Sequence, residues 1–242
     1  MFEEYQDEIF DYLRTLERRP RLRMSSHYLN TLRPRLADTI ALVSQDRGRP
    51  DTVFLAMDIV DRFIVAQHAN PPPEDKLGLL GGVALLIAAK YEWRREGLQL
   101  ANSVAAHHHQ CYDSLTIRSA EKWVLSIIDY DLSWPGPLPF LDRIVAVNKS
   151  ESVVRFASRL LLRRTVASRQ FAHILPSMLA ALCYQACPEG SDRPGVDRDA
   201  RSQFRIQRRR TSSDAGHPVP ARHMDPQSRQ AGGITAPPHF LA

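Results

Sequence analysis

Lys76-Leu77-Gly78-Leu79-Leu80-Gly81-Gly82-Val83-Ala84-Leu85-Leu86-Ile87-Ala88-Ala89-Lys90-Tyr91-Glu92 is apolar on nearly every side when wound as a helix. A helix without a polar face has to be enclosed by other helices. Its small residues, Gly78, Gly81, Gly82, Ala84, Ala88 and Ala89, let those neighbours approach closely. The glycines weaken the helix in isolation, so packing must hold it together. The stretch therefore predicts a central helix surrounded by others. Its apolar run, residues 77–89, ends at Lys90 and is too short to span a bilayer.

Working outward, both flanks read as helical. Residues 3–17 carry Ile9, Leu13 and Leu16 at helical spacing among charges, which makes a leading amphipathic helix. Residues 18–23 contain Pro20 and form a basic connector. Leu29, Leu32, Leu36, Ile40 and Val43 are the stripe of a second helix, ended by Gly48 and Pro50. Asp51 is placed to cap a third, which runs to about Gln67, and Pro71, Pro72 and Pro73 follow as a stiff loop. Residues 98–105 read as a short helix, and residues 114–128 as another capped by Ser114.

The three prolines in residues 134–139 break this pattern and mark a boundary. A second helical group follows at residues 140–147, 153–162 and 176–187, with Pro176 in a first turn. Beyond Pro188 the composition turns to Arg, Ser, Pro, Gly and Gln. Such a tail buries too little to offset its ordering entropy and is expected to be disordered. No strand pattern stands out. The expected fold is all-α, divided at 1–23, 24–134, 135–187 and 188–242.

Composition removes several function classes. Of 242 residues 43% are hydrophobic and 24% charged, as in an ordinary globular chain. Three cysteines, Cys111, Cys183 and Cys187, do not make a secreted disulfide framework. The opening residues are acidic and amphipathic rather than a signal peptide, so an intracellular protein is expected. A net charge of +5 with no basic stripe interleaved with aromatics does not single out nucleic acid. Adjacent His107, His108 and His109 point in different directions on a helix and do not readily share a metal ion. Cys183 and Cys187 read as core residues. Arg208, Arg209 and Arg210 read as a nuclear-import patch or an unstructured basic stretch, and Arg210-Thr211-Ser212 as a candidate phosphorylation site. No nucleophile elbow, phosphate loop or catalytic carboxylate pair is present, so no enzyme and no cofactor is expected.

Four charges stand on apolar columns. Lys90 continues Val83, Leu86 and Ile87; Glu121 lies among Ile117, Val124, Leu125 and Ile128. Asp61 lies among Met57, Val60 and Ile64, and Arg33 beside Leu29, Leu36 and Ile40. A lone buried charge costs several kcal/mol, so each needs a partner. One reading makes all four into internal salt bridges that fix helix register. The other pairs Arg33 with Asp61 inside the bundle and leaves Lys90 and Glu121 at the surface, offering a donor and an acceptor to another protein.

At these residues the chain resembles the mitotic (A/B-type) cyclins. Residues 4–17 look like the helix that precedes their box. Leu32-Arg33-Pro34-Arg35-Leu36-Ala37-Asp38 is similar to the family's Met-Arg-Ala-Ile-Leu-Val-Asp signature. Phe54-Leu55-Ala56-Met57-Asp58-Ile59-Val60-Asp61-Arg62-Phe63 is similar to its Asp-Arg-Phe run. The central helix, Tyr130-Asp131-Leu132 and Pro137-Leu138-Pro139-Phe140-Leu141 follow in order, over roughly residues 3–187.

The resemblance implies a cyclin fold: a five-helix N-terminal cyclin box at 24–134 and a truncated second box at 135–187. It implies a regulatory subunit that activates a cyclin-dependent kinase in G2/M control by holding the kinase's αC helix in place. By the resemblance, Lys90 and Glu121 are the kinase-contacting charges. Ile87, Tyr91, Tyr130, Leu132 and Ile9 are further contacts, Arg33 and Asp61 the internal pair, and Leu79 a core position. Leu32 and Leu36 would be what remains of a peptide-docking groove for substrates or inhibitors. Arg35, Thr39 and Gly78 depart from the groove pattern and weaken it. Pro34 has to sit in a first turn or kink its helix. A truncated second box would leave Leu160, Leu161, Met178 and Leu182 partly uncovered. The implied location is nucleus and cytoplasm. The competing readings are a cyclin-box transcription or nucleic-acid-binding adaptor and a degenerate cyclin that binds no kinase.

Overall fold

The central helix, α4 (Leu77–Glu92), is buried at every position from Leu77 to Ala89 except Gly78. The computed structural model describes residues 5–18, 24–44, 50–68, 71–92 and 112–187. The expected helix at 98–105, His107 to His109, Cys111, Pro20, Gly48 and everything from 188 on, including Arg208 to Arg210, lie outside the described residues. Burial explains why a glycine-containing helix survives. Each glycine costs about 1 kcal/mol against alanine, whereas each fully buried Leu, Val or Ile contributes about 1.5–3 kcal/mol.

Around α4 stand α2 (Arg33–Ser44), α3 (Pro50–Ala66) and α5 (Ser114–Ile127), all packed against it. Trp123 on α5 and Phe63 on α3 meet edge to face, ring centroids 4.9 Å apart at 84°. Such an edge-to-face contact adds about 0.5–1.5 kcal/mol beyond the buried area. Helix α1 (Gln6–Glu17) leads the group.

Two local details differ from the sequence-based expectation, and a third meets it, with Pro34 in the first turn of α2. Pro50 opens α3 instead of ending α2, because a first-turn residue has no intrahelical acceptor to lose. The cap of α5 is Asp113, whose carboxylate accepts from the Thr116 N–H at 2.8 Å; Ser114 is the first helical residue. Pro34 follows a π-helical turn, Tyr28–Leu32, in which the Arg33 N–H reaches back to the Tyr28 carbonyl. A proline inside a helix lacks a donor and crowds the carbonyl four residues earlier; the wider turn just before it relieves both.

The second group is α6 (Leu138–Val147), α7 (Ser152–Thr165) and α8 (Pro176–Gln185), with α8 packed on both others. Pro139 and Pro176 lie in first turns. Cys183 and Cys187 are both buried in or beside α8, and burial, then the neighbouring Cys187, pushes the Cys183 thiol up to about 11. Every described regular element is helical, and no described helix is long and apolar enough to cross a membrane.

Candidate partner-binding site

Lys90 stands in the last turn of α4, where a cation also complements the helix dipole, and Glu121 on the facing side of α5. The Lys90 ammonium lies 2.6 and 2.7 Å from the two carboxylate oxygens of Glu121. The Lys90 side chain is 41% exposed and that of Glu121 16%. A pair this exposed is worth about 0–1 kcal/mol, so it does not hold α4 to α5; the apolar contacts below it do. An ammonium has three hydrogens and a carboxylate roughly four acceptor positions. After pairing, each group retains capacity for a further partner.

Tyr91 and Tyr130 are each 58% exposed, and Ile9 45%. Leu132 is half-buried against the core. Ile87 corrects the sequence reading: at 2% exposure it is a core residue of α4 and presents no surface to another protein. Ile87 and Lys90 lie one turn apart on the same face of α4, but the core encloses that face at Ile87 and ends before Lys90, which is exposed.

Tyr130 stands in a strained turn. Asp129 and Tyr130 both have φ of 55°, a left-handed conformation costing about 1–2 kcal/mol per non-glycine residue. The turn is secured by Arg62, whose guanidinium donates to the Asp131 carbonyl at 2.6 Å and the Ile128 carbonyl at 2.8 Å. The same arginine lies 3.5 Å from Asp58. Strain held in place by surrounding structure is typical of functional segments.

Arg33 and Asp61 are paired in the interior, Nε to Oδ1 at 3.0 Å and Nη2 to Oδ2 at 3.1 Å, both residues 6% exposed. Two further groups complete the cluster. The Tyr28 hydroxyl donates to Asp61 Oδ1, and Arg33 Nη1 donates to the Val166 carbonyl after α7. The ion pair thus also ties the first helical group to the second. Burial foremost, then the Asp61 charge, raises the Tyr28 pKa well above that of an ordinary tyrosine, keeping it a donor.

The expected groove is altered. Leu36 has no exposed surface and packs against α4, so it does not line a docking groove; Leu32 is half-buried. Arg35 is engaged by Glu74 at 2.8 Å. The stripe that suggested a groove is the face with which α2 meets α4.

Glu17 was not singled out by sequence. At 7% exposure, its carboxylate accepts from the Ser177 N–H and hydroxyl, both at 2.8 Å, at the N-terminus of α8. Helix N-termini favour anions. Phe10 packs on Phe140 at 6.0 Å, and the Arg143 guanidinium lies 4.1 Å over the Phe10 ring while bonding Asp7 at 2.7 Å. These contacts fasten α1 to the second group. Their only sequence sign is a charge ending an amphipathic helix.

The fold and site define an all-helical scaffold built around one enclosed helix, with a charged pair at its rim. Residues 8–133 match the model of the cyclin N-terminal domain. The chain is 31% identical over 196 residues to G2/mitotic-specific cyclin-3 of Saccharomyces cerevisiae, covering 76% of this chain and 43% of that protein. It is 32% identical over 197 residues to G2/mitotic-specific cyclin cig1 of Schizosaccharomyces pombe, covering 76% and 45%. It is 32% identical over 190 residues to G2/mitotic-specific cyclin-B of Emericella nidulans, covering 75% and 38%. The chain thus spans less than half the length of these relatives. A viral cyclin from Herpesvirus saimiri has the same fold, with a TM-score of 0.68 at 16% identity, covering 85% of this chain and 95% of that one. This chain belongs to the cyclin family.

Proposed function

We propose that this chain is the regulatory subunit of a cyclin-dependent protein kinase, acting in G2/M control. Family membership and the names of its relatives support the reading. The observation that carries it is the Lys90–Glu121 pair: two charges on the rim of an apolar helix cluster whose mutual attraction is too weak to explain them as stabilisers. Such a pair fixes the orientation of a partner's backbone, one group accepting and one donating.

The αC helix of a kinase must swing in to complete the Lys–Glu pair that positions ATP. A subunit that binds the αC-in state more tightly shifts that equilibrium without chemistry of its own. Moving from mostly off to mostly on requires about 5.5 kcal/mol of preference. Lys90, Glu121, Tyr91 and Tyr130 are the surface groups proposed to supply it, together with half-buried Leu132 and, from α1, Ile9. Helices α6–α8 are proposed to be a partial second cyclin box, and the protein to act in nucleus and cytoplasm.

The test is histone phosphorylation by recombinant cyclin-dependent kinases mixed with this chain. Lys90→Ala and Glu121→Ala are expected to abolish activation while leaving far-UV circular dichroism unchanged. Normal activation by either variant would overturn the assignment.

A further inference from the structure

Helix α7 presents an uncovered face. Val153 is 63% exposed, Phe156 71% and Leu160 46%. At 100° per residue these three fall within a 60° arc. Val154, Ser158 and Leu162, on the opposite side, are buried in the core. Along one flank of the apolar stripe, Arg155, Arg159 and Arg163 recur every fourth residue as a ridge, and Arg164 closes its C-terminal end. Arg155, Arg163 and Arg164 are exposed, and Arg159 is bonded to Asp142 of α6 at 2.7 and 2.8 Å. The helix itself contains no Asp or Glu; Glu151 stands just before it.

We infer that this face docks an amphipathic helix of another protein that sets an apolar stripe on Val153, Phe156 and Leu160 and a row of carboxylates against the arginine ridge. Charge selects the occupant. A second copy would lay arginine on arginine. The chain's own residues 188–242 carry more Arg than Asp and Glu together, so they too are mismatched in sign. A membrane surface favours cations spread on both sides of a broad apolar face. Here the stripe is narrow and three of four arginines lie on one side, as a parallel or antiparallel helix with one acidic flank requires.

The test uses the full chain and a fluorescein-labelled helical peptide with Leu along one stripe and Glu at every fourth position beside it. The same peptide with Lys for Glu is the control. The acidic peptide is expected to raise anisotropy saturably and the basic one not. Phe156→Glu is expected to weaken binding by about tenfold or more. The surface variant Arg155→Glu with Arg163→Glu is expected to reverse the preference between peptides. Lys90→Ala, which tests the kinase reading, leaves peptide binding unchanged. Equal binding of both peptides, or undiminished binding by Phe156→Glu, overturns the inference. So does capture by phosphatidylserine vesicles without capture of the acidic peptide, or a sedimenting dimer that Phe156→Glu dissolves.

Discussion

Glu17 and Ser177 stand 160 positions apart in sequence, yet the carboxylate of one accepts both the N–H and the hydroxyl of the other at 2.8 Å. This joint fastens the leading helix to the start of α8. It makes the position of Ile9 depend on the second helical group.

Glu17→Ala should therefore loosen α1 more than it unfolds the chain. Losing a charge-assisted bond and leaving a helix-terminal donor unmet costs about 1–3 kcal/mol. Limited trypsin digestion should cut sooner at Arg14 and Arg18, while the urea midpoint of the remaining helices shifts little. Unchanged cleavage at these two sites would show that the joint does not hold α1.

Arg33 and Asp61 should behave as a coupled pair. Asp61→Leu strands a buried guanidinium and Arg33→Met a buried carboxylate, each expected to cost about 3–5 kcal/mol. The double variant should cost less than the sum, because neither charge is then left alone. Equilibrium denaturation across the cycle measures the coupling. Strict additivity would mean that the bonds to Tyr28 and Val166 dominate.

Tyr28 gives the fold an alkaline sensitivity. Burial first, then Asp61, raises its folded pKa above the unfolded value of about 10. The proton is therefore held more tightly in the folded state. Its stabilising contribution is complete below the unfolded value and is lost as pH climbs from there through the raised folded value. Tyr28→Phe should remove this alkaline decline and, by deleting the bond to Asp61, cost about 1–2 kcal/mol at neutral pH. Unfolding free energy measured from neutral to strongly alkaline pH in both proteins checks it.

Gly81 faces α2, and a methyl group there would meet Ile40, Leu36 and Thr39 at 3.5–3.7 Å, ordinary contact distances. Gly81→Ala should stabilise by about 0.4–1 kcal/mol, since it restricts the unfolded chain without a clash. A lower thermal midpoint would show that α2 and α4 need a closer approach than these distances indicate.

The central position of α4 is legible from residues 76–92 alone, because a helix with no polar face has one stable location. The partnership of Arg33 with Asp61 is legible for a related reason: each lies on an apolar column where a lone charge is too costly. Leu36 and Ile87 were less legible. Periodicity marks both as apolar, but whether an apolar side chain meets its own core or remains for a partner depends on which helix packs over it. The π turn before Pro34 and the Asp113 cap are not legible in the sequence, because neighbouring residues offer equally reasonable starts.

The sequence by itself determined an all-helical chain, the enclosure of α4 and the identity of the misplaced charges, since these follow from local periodicity and the cost of desolvation. Only the tertiary structure decided that Lys90 meets Glu121, that Arg33 reaches Val166 and that Glu17 meets Ser177. Hydrogen bonds of this kind act within about 3 Å, and no property of either residue alone reveals which distant backbone will arrive there.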